Sequence, residues 1–375
     1  MTMIKSRILC VFKNLFLSKK GKKILTAVSV LVGLFVIVKI AISRPYLSEY
    51  LFARGISRFF ASVLQPINAL IPFSVFETLL VLLVFTALCA LVSVFILNFN
   101  VTEKGALNFL YGFCTVMTAV VLFYNVTATA MFKRQSVAVA LGLDVNDPSQ
   151  EDMLAAANWY LDGLIELDGV VQRQENGDSI LAYDFSKYND LLKKEYAKLD
   201  GNDYFNKYSI RLKKVLLSVP MTYTGITGAY VGILGEGSIN VNVPNYTLPV
   251  TMAHEMAHGK GVMRENEANF TAYYICINSD DVYLKYSGYM FAFNACYGKL
   301  TKEQRVSVYD RIPQTVLKEY TNTNEFYDNY QGIVERIMNF INDTNLKSAG
   351  LKEGVISYSL TDKFLVALYK KKIGE

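Results

Sequence analysis

Apolar positions crowd into three long runs early in the chain, residues 24–43, 78–97 and 107–132. The second run has no charge, the first only Lys39, and the third only Asn108 and Asn125 as strongly polar interruptions. Each is about 20 residues or more, enough for an α-helix to cross roughly 30 Å of hydrocarbon. Backbone amides in lipid must satisfy one another, so all three runs are read as transmembrane helices, in an anchor over residues 1–132. Between the first two, Tyr50, Leu51, Ile56, Phe59, Phe60 and Val63 have the spacing of an amphipathic helix lying along the interface, or of an ordinary packed loop.

Beyond residue 132 the pattern changes to that of a water-facing domain. Ser149 and Asp152 form a capping-box signature, and Met153, Leu154, Ala157, Tyr160, Leu161, Leu164 and Ile165 follow at helical spacing. Further helices are predicted over 188–199 and 204–217, the latter ended by Val219 and Pro220. Residues 238–243 alternate with period two and predict a strand. Pro249 suits the first turn of the next helix, and Thr301 with Gln304 marks another start. The expected domain, residues 133–375, is mostly helical, of α+β type, with a small sheet just before the helix that starts near Pro249.

Composition sharpens this division. The chain has 375 residues, 52% hydrophobic and 19% charged, against about 25% charged for soluble domains. Residues 1–132 hold 12 Lys and Arg against 3 Asp and Glu, and the remainder holds 26 against 30. The net charge of +5 therefore belongs to the anchor, which makes the lipid bilayer an expected partner and nucleic acid an unlikely one for the acidic remainder. Lys5, Arg7, Lys13, Lys19, Lys20, Lys22 and Lys23 precede the first run without an acid among them. They predict a cytoplasmic N-terminus and, after three crossings, an extracytoplasmic C-terminal domain in a multi-pass protein of the cell membrane. The loop 98–106, with one Lys and one Glu, is neutral on this point. The first run is too long for a cleaved signal and is read as a retained anchor. The five cysteines form no CxxC pair; Cys276 and Cys296, in the outer part, suit either a disulfide or two buried thiols.

Only two histidines occur, and both fall in His254-Glu255-Met256-Ala257-His258. Four residues on a helix is about 400°, so the imidazoles project from one face, one turn apart, at a separation that suits one Zn²⁺. Glu255, about 100° around, is placed to reach a water rather than the metal, as a general base. Two acids compete for the third ligand position. Glu265 and Glu267 are about 200° apart on a helix, so only one can face the metal. Glu265 is preferred because Asn269 follows it by one turn, echoing zinc peptidases with a Glu-x-x-x-Asp pattern; Asn269 supplies an acceptor without a charge. Glu267 is then the alternative ligand or a structural partner of Arg264 or Lys260. Lys260, Arg264, Glu265 and Glu267 so close to the motif argue against an intramembrane site.

The order of elements also resembles domain-of-unknown-function family 3810, bacterial membrane proteins with a zinc-peptidase-like motif. The resemblance rests on three N-terminal spans, Leu248-Pro249, the run from His254 through Glu265 and Glu267 to Asn269, Leu70-Ile71-Pro72-Phe73-Ser74, and Ser357-Tyr358-Ser359. It implies a three-helix anchor followed by a zincin-like domain, and names no substrate.

The expectation is thus a membrane-anchored zinc metallopeptidase acting on a peptide or protein substrate at the outer face, with His254, His258 and Glu265 holding Zn²⁺ and Glu255 as catalyst. Tyr358, Tyr327 and Tyr320 are candidates for stabilising the tetrahedral intermediate, and strand 238–243 for pairing with substrate. A silent zincin-fold sensor or scaffold, and a zinc amidase acting on a non-peptide envelope substrate, are the alternatives.

Overall fold

The computed structural model describes residues 19–95 and 103–374. Lys5, Arg7, Cys10 and Lys13, and residues 98–102 of the neutral loop, lie outside the described residues. The chain is mostly helical. Its elements are α1 (Lys19–Ile42), a π-helical segment (Leu47–Ser57), α2 (Arg58–Ala69), α3 (Val75–Phe95), α4 (Glu103–Thr127) and α5 (Val137–Ala140). Next come α6 (Gln150–Asp168), α7 (Phe185–Ala197), β1 (Lys213–Lys214), α8 (Ser218–Thr222), β2 (Gly228–Val231) and β3 (Glu236–Ile239). The last are α9 (Thr247–Gly259), α10 (Glu265–Ile277), α11 (Val282–Tyr297), α12 (Lys302–Tyr309), α13 (Gln314–Asp328), α14 (Ile333–Ala349) and α15 (Asp362–Gly374).

Two compact units are present, residues 1–57 with 77–133, and residues 58–76 with 134–375. Among the described residues three helices are long and apolar enough to cross a membrane: Gly21–Ile42, Val75–Ser93 and Tyr111–Lys133, all in the first unit but for Val75 and Phe76. The hydroxyls of Thr86, Thr115 and Thr118 donate to carbonyls four residues back, which satisfies them without water. Ser48 and Ser57 donate to the carbonyls of Ala130 and Val126, fastening the π-helical segment to the end of α4 and the turn that follows.

The second unit combines residues 134–375 with residues 58–76, which lie between the first two apolar runs. Polar side chains account for this: Gln65, Asn68 and Ser74 are buried and bonded to partners around residues 230–260. The helix expected over 204–217 is absent. Ile210 and Leu212 are buried alternately, Asn189 bonds both the N–H and the carbonyl of Leu212, and Lys213–Lys214 joins a sheet. Val219 and Pro220 lie inside the short helix α8 rather than ending a long one. The capping boxes at Ser149 and Thr301 are both formed.

The sheet has the order β1-β3-β2, with β1 parallel and β2 antiparallel to β3. The strand read at 238–243 therefore begins earlier, at Glu236, ends at Ile239 and is central; β2 is an edge. Helix α9 lies against β2 and β3 on one side and α10 and α11 on another. It is enclosed nearly all round, with Met252, Ala253, Met256 and Ala257 wholly buried. Each methionine so enclosed contributes about 1.5–3 kcal/mol of apolar burial. Such a helix is held from several sides, which suits it to carry a site that must not move.

Candidate metal centre

Helix α9 starts with Thr247, and Pro249 sits in its first turn, where a missing N–H costs nothing. The Ser287 hydroxyl on α11 accepts from the Val250 N–H and donates to the Tyr246 carbonyl, so the start is fastened from outside. At the other end Gly261 has φ +96°, open to glycine but strained for other residues. The N–H of Val262 bonds the carbonyl of Ala257, and that of Gly261 bonds His258, a Schellman stop. This turn brings the Val262 carbonyl 2.7 Å from Nδ1 of His258. A carbonyl only accepts, so Nδ1 carries the proton and Nε2 offers its lone pair.

The chain then enters α10 with Glu265 as its first residue, where the helix dipole favours a carboxylate. Oε2 of Glu265 lies 3.2 Å from Nε2 of His254 and 3.5 Å from Nε2 of His258. The two imidazoles are 4.6 Å apart between centroids and perpendicular. Oε2 of Glu265 is buried and in hydrogen-bond geometry with neither ring. Among the described residues these three form the group able to hold a metal ion, their ligand atoms within 4.8 Å of one another. Two imidazoles and a carboxylate converging this closely could hold a divalent cation, and a His₂Glu set suits zinc.

Electrostatics follow from the same geometry. Burial works against the charged His258 imidazolium, yet the nearby Glu265 and Glu255 carboxylates and the Val262 carbonyl hold its pKa up at about 9. Burial opposes ionisation of Glu265, and the two imidazoles outweigh it, holding the carboxyl well below its usual range. Glu255 is raised, first by burial and then by Glu265, against the lowering effect of both histidines.

Glu255 stands between the motif helix and the sheet. Its Oε1 lies against Gly228 of β2, and its Oε2 is buried with no hydrogen-bond partner. Tyr230, two residues along β2, stacks beside His258 with centroids 6.2 Å apart, and its hydroxyl accepts from Gln65. Gln65 also donates to the carbonyl of Gly259 at 2.9 Å, and Asn206 donates to the same oxygen. Gly228, Tyr230 and Gln65 escaped sequence reasoning. The only sign of the first was a run of glycines, and the other two had none.

The remaining residues singled out from sequence take other places. Glu267 accepts from the Ser136 hydroxyl at 2.7 Å and the Val137 N–H, and pairs with Arg264 at 2.8 Å. It caps α5 and stands apart from the His254–His258–Glu265 group. Lys260 pairs instead with Asp200. The amide of Asn269 donates to the carbonyl of Tyr358, tying α10 to the segment Gly354–Ser359. The Tyr358 hydroxyl meets the Glu265 carboxylate and accepts from Asn342; burial, then Glu265, keeps the phenol strongly protonated. Tyr320 donates to the Met290 carbonyl, away from this group. Cys276 and Cys296 are free, buried thiols, the second of the two sequence readings, and burial raises both.

A family model described as protein of unknown function (DUF3810) matches residues 52–366, well over half of the chain. No curated protein and no solved structure matches it.

Proposed function

The chain belongs to the DUF3810 family of proteins of unknown function, and we propose that it is a membrane-anchored zinc metallopeptidase. His254 and His258 through Nε2, and Glu265 through its carboxylate, would hold the ion. When bound, zinc supplies Lewis acidity toward a water and a peptide carbonyl. Glu255, raised in basicity, takes the proton of the attacking water and passes it to the leaving amine nitrogen. Tyr358, whose single hydroxyl proton is directed at Glu265, would position that carboxylate, and would reach a developing oxyanion only by turning away from it. An extended peptide would pair with the free side of β2, the sheet edge next to Glu255, by strand addition.

The observation that carries this reading is the buried Oε2 of Glu255, which has no hydrogen-bond partner one residue from a metal-ligand cluster. Leaving such an atom unsatisfied costs about 1–3 kcal/mol. A general base needs such a free oxygen. The basic residues before the first span favour a cytoplasmic N-terminus and an extracytoplasmic site. The test is to purify the full chain, measure zinc, and profile cleavage of a peptide library by wild type and Glu255→Gln. About one zinc per chain in both proteins, with cleavage by wild type alone, is the expected result. Equal cleavage by both would remove Glu255 from the chemistry.

A further inference from the structure

Helix α2 is turned inside out for a helix in water. Its buried side is polar: Gln65 and Asn68 are 1% and 5% exposed and bond to Gly259, Tyr230 and Glu236. Its outer side is apolar. Phe59, Val63 and Ile67, and then Leu70 just past its end, fall within a sector of roughly 80°, opposite Gln65 and Asn68. Their exposures are 62, 41, 56 and 84%, and Phe73 continues the strip at 51%. Surface helices of soluble domains carry the reverse arrangement, and single exposed apolar residues are ordinary where a strip of five is not.

The strip runs directly into a membrane helix. The span Val75–Ser93 starts five residues after Leu70. Its first two N–H groups, of Val75 and Phe76, are held by the buried carboxylate of Glu236. Where a span begins, the bilayer surface is within reach, and five residues of chain extend at most ~18 Å. Lipid is therefore the apolar phase available to this strip.

We propose that Phe59, Val63, Ile67, Leu70 and Phe73 are seated in the headgroup–acyl boundary of a phospholipid bilayer. Helix α2 then lies in the interface as an adaptor, apolar side in lipid, with Gln65 on its polar side holding the carbonyl that ends the His254–His258 helix. The inference does not depend on hydrolysis.

Trp159 is the single tryptophan, which gives a direct test on the full chain in phosphatidylcholine vesicles. In a Trp159→Phe background, Phe59→Trp, Ile67→Trp and Leu70→Trp are made one at a time, with Val306→Trp, 70% exposed on α12, as the water-facing reference. Brominated phosphatidylcholine is expected to quench the α2 probes, and iodide to quench them several-fold less than the reference. Iodide quenching equal to the reference overturns the proposal. Shielding from iodide without quenching by brominated lipid also overturns it, because the occupant would then be protein.

Discussion

A methyl group on Gly228 would stand 2.5 Å from Oε1 of Glu255, closer than such atoms can approach. The edge strand makes room for that carboxylate only because position 228 has no side chain. Gly228→Ala is expected to push Glu255 aside while His254, His258 and Glu265 stay in place. Zinc content by elemental analysis should be unchanged and kcat should fall about 100-fold, the scale of a misplacement near 1 Å. Full activity would mean that Glu255 has another position to act from.

Glu255→Gln keeps the shape and removes the base. Hydrolysis is expected to drop by roughly 10²–10⁴-fold with zinc retained. Loss of zinc along with activity would place Glu255 among the ligands instead.

The two acids of α10 should separate cleanly. Glu265→Ala removes a proposed ligand, and zinc affinity should fall by more than the roughly 10–100-fold typical of losing an outer partner. Glu267→Ala should leave zinc affinity near wild type and lower thermal stability instead. It strips the Ser136 hydroxyl, the Val137 N–H and Arg264 of a buried carboxylate, at a cost of about 3 kcal/mol. Metal titration and thermal unfolding of the two variants would show the contrast; the reverse pattern would exchange their roles.

Acid should loosen the second unit through Glu236. Burial opposes its ionisation, but Asn68, Ser74, the Phe76 N–H and Ser238 outweigh that and lower its pKa from 4.5 to about 2. Lys213 pairs with it at 3.1 Å. A depressed acid stabilises the folded state above its unfolded pKa, so this contribution is complete above pH 4.5 and lost as pH falls toward 2. It is on the order of 3 kcal/mol. The gap in melting temperature between wild type and Glu236→Gln should be widest at pH 6, shrink to roughly 40% by pH 3 and close only below pH 2.

The three long apolar helices and the histidine pair were legible because each is a local pattern: a run of about 20 apolar residues, or two side chains one helical turn apart. Glu265 was legible as one of two choices, since a short glycine-ended connection limits what can face the motif. Which acid turns inward is decided by Ser136 and Val137, some 130 residues away, and no local pattern reports that. The failed helix at 204–217 has the same origin. Its spacing allowed a helix, but the Asn189 side chain and β3 claim the backbone around Leu212 and Lys213. Gln65 and Asn68 looked like ordinary polar interruptions because their partners lie 194 and 168 residues further on.

Those long-range bonds make the second unit a poor candidate for modular exchange. Residues 134–375 severed from 58–76 would lose Gln65 from the carbonyl of Gly259, and Asn68, Ser74 and two amides from Glu236. Recombination could not graft this unit onto a foreign anchor by a single join, because part of it is encoded between two of the helices long and apolar enough to cross a membrane. The two units would be inherited together, as one interleaved gene segment.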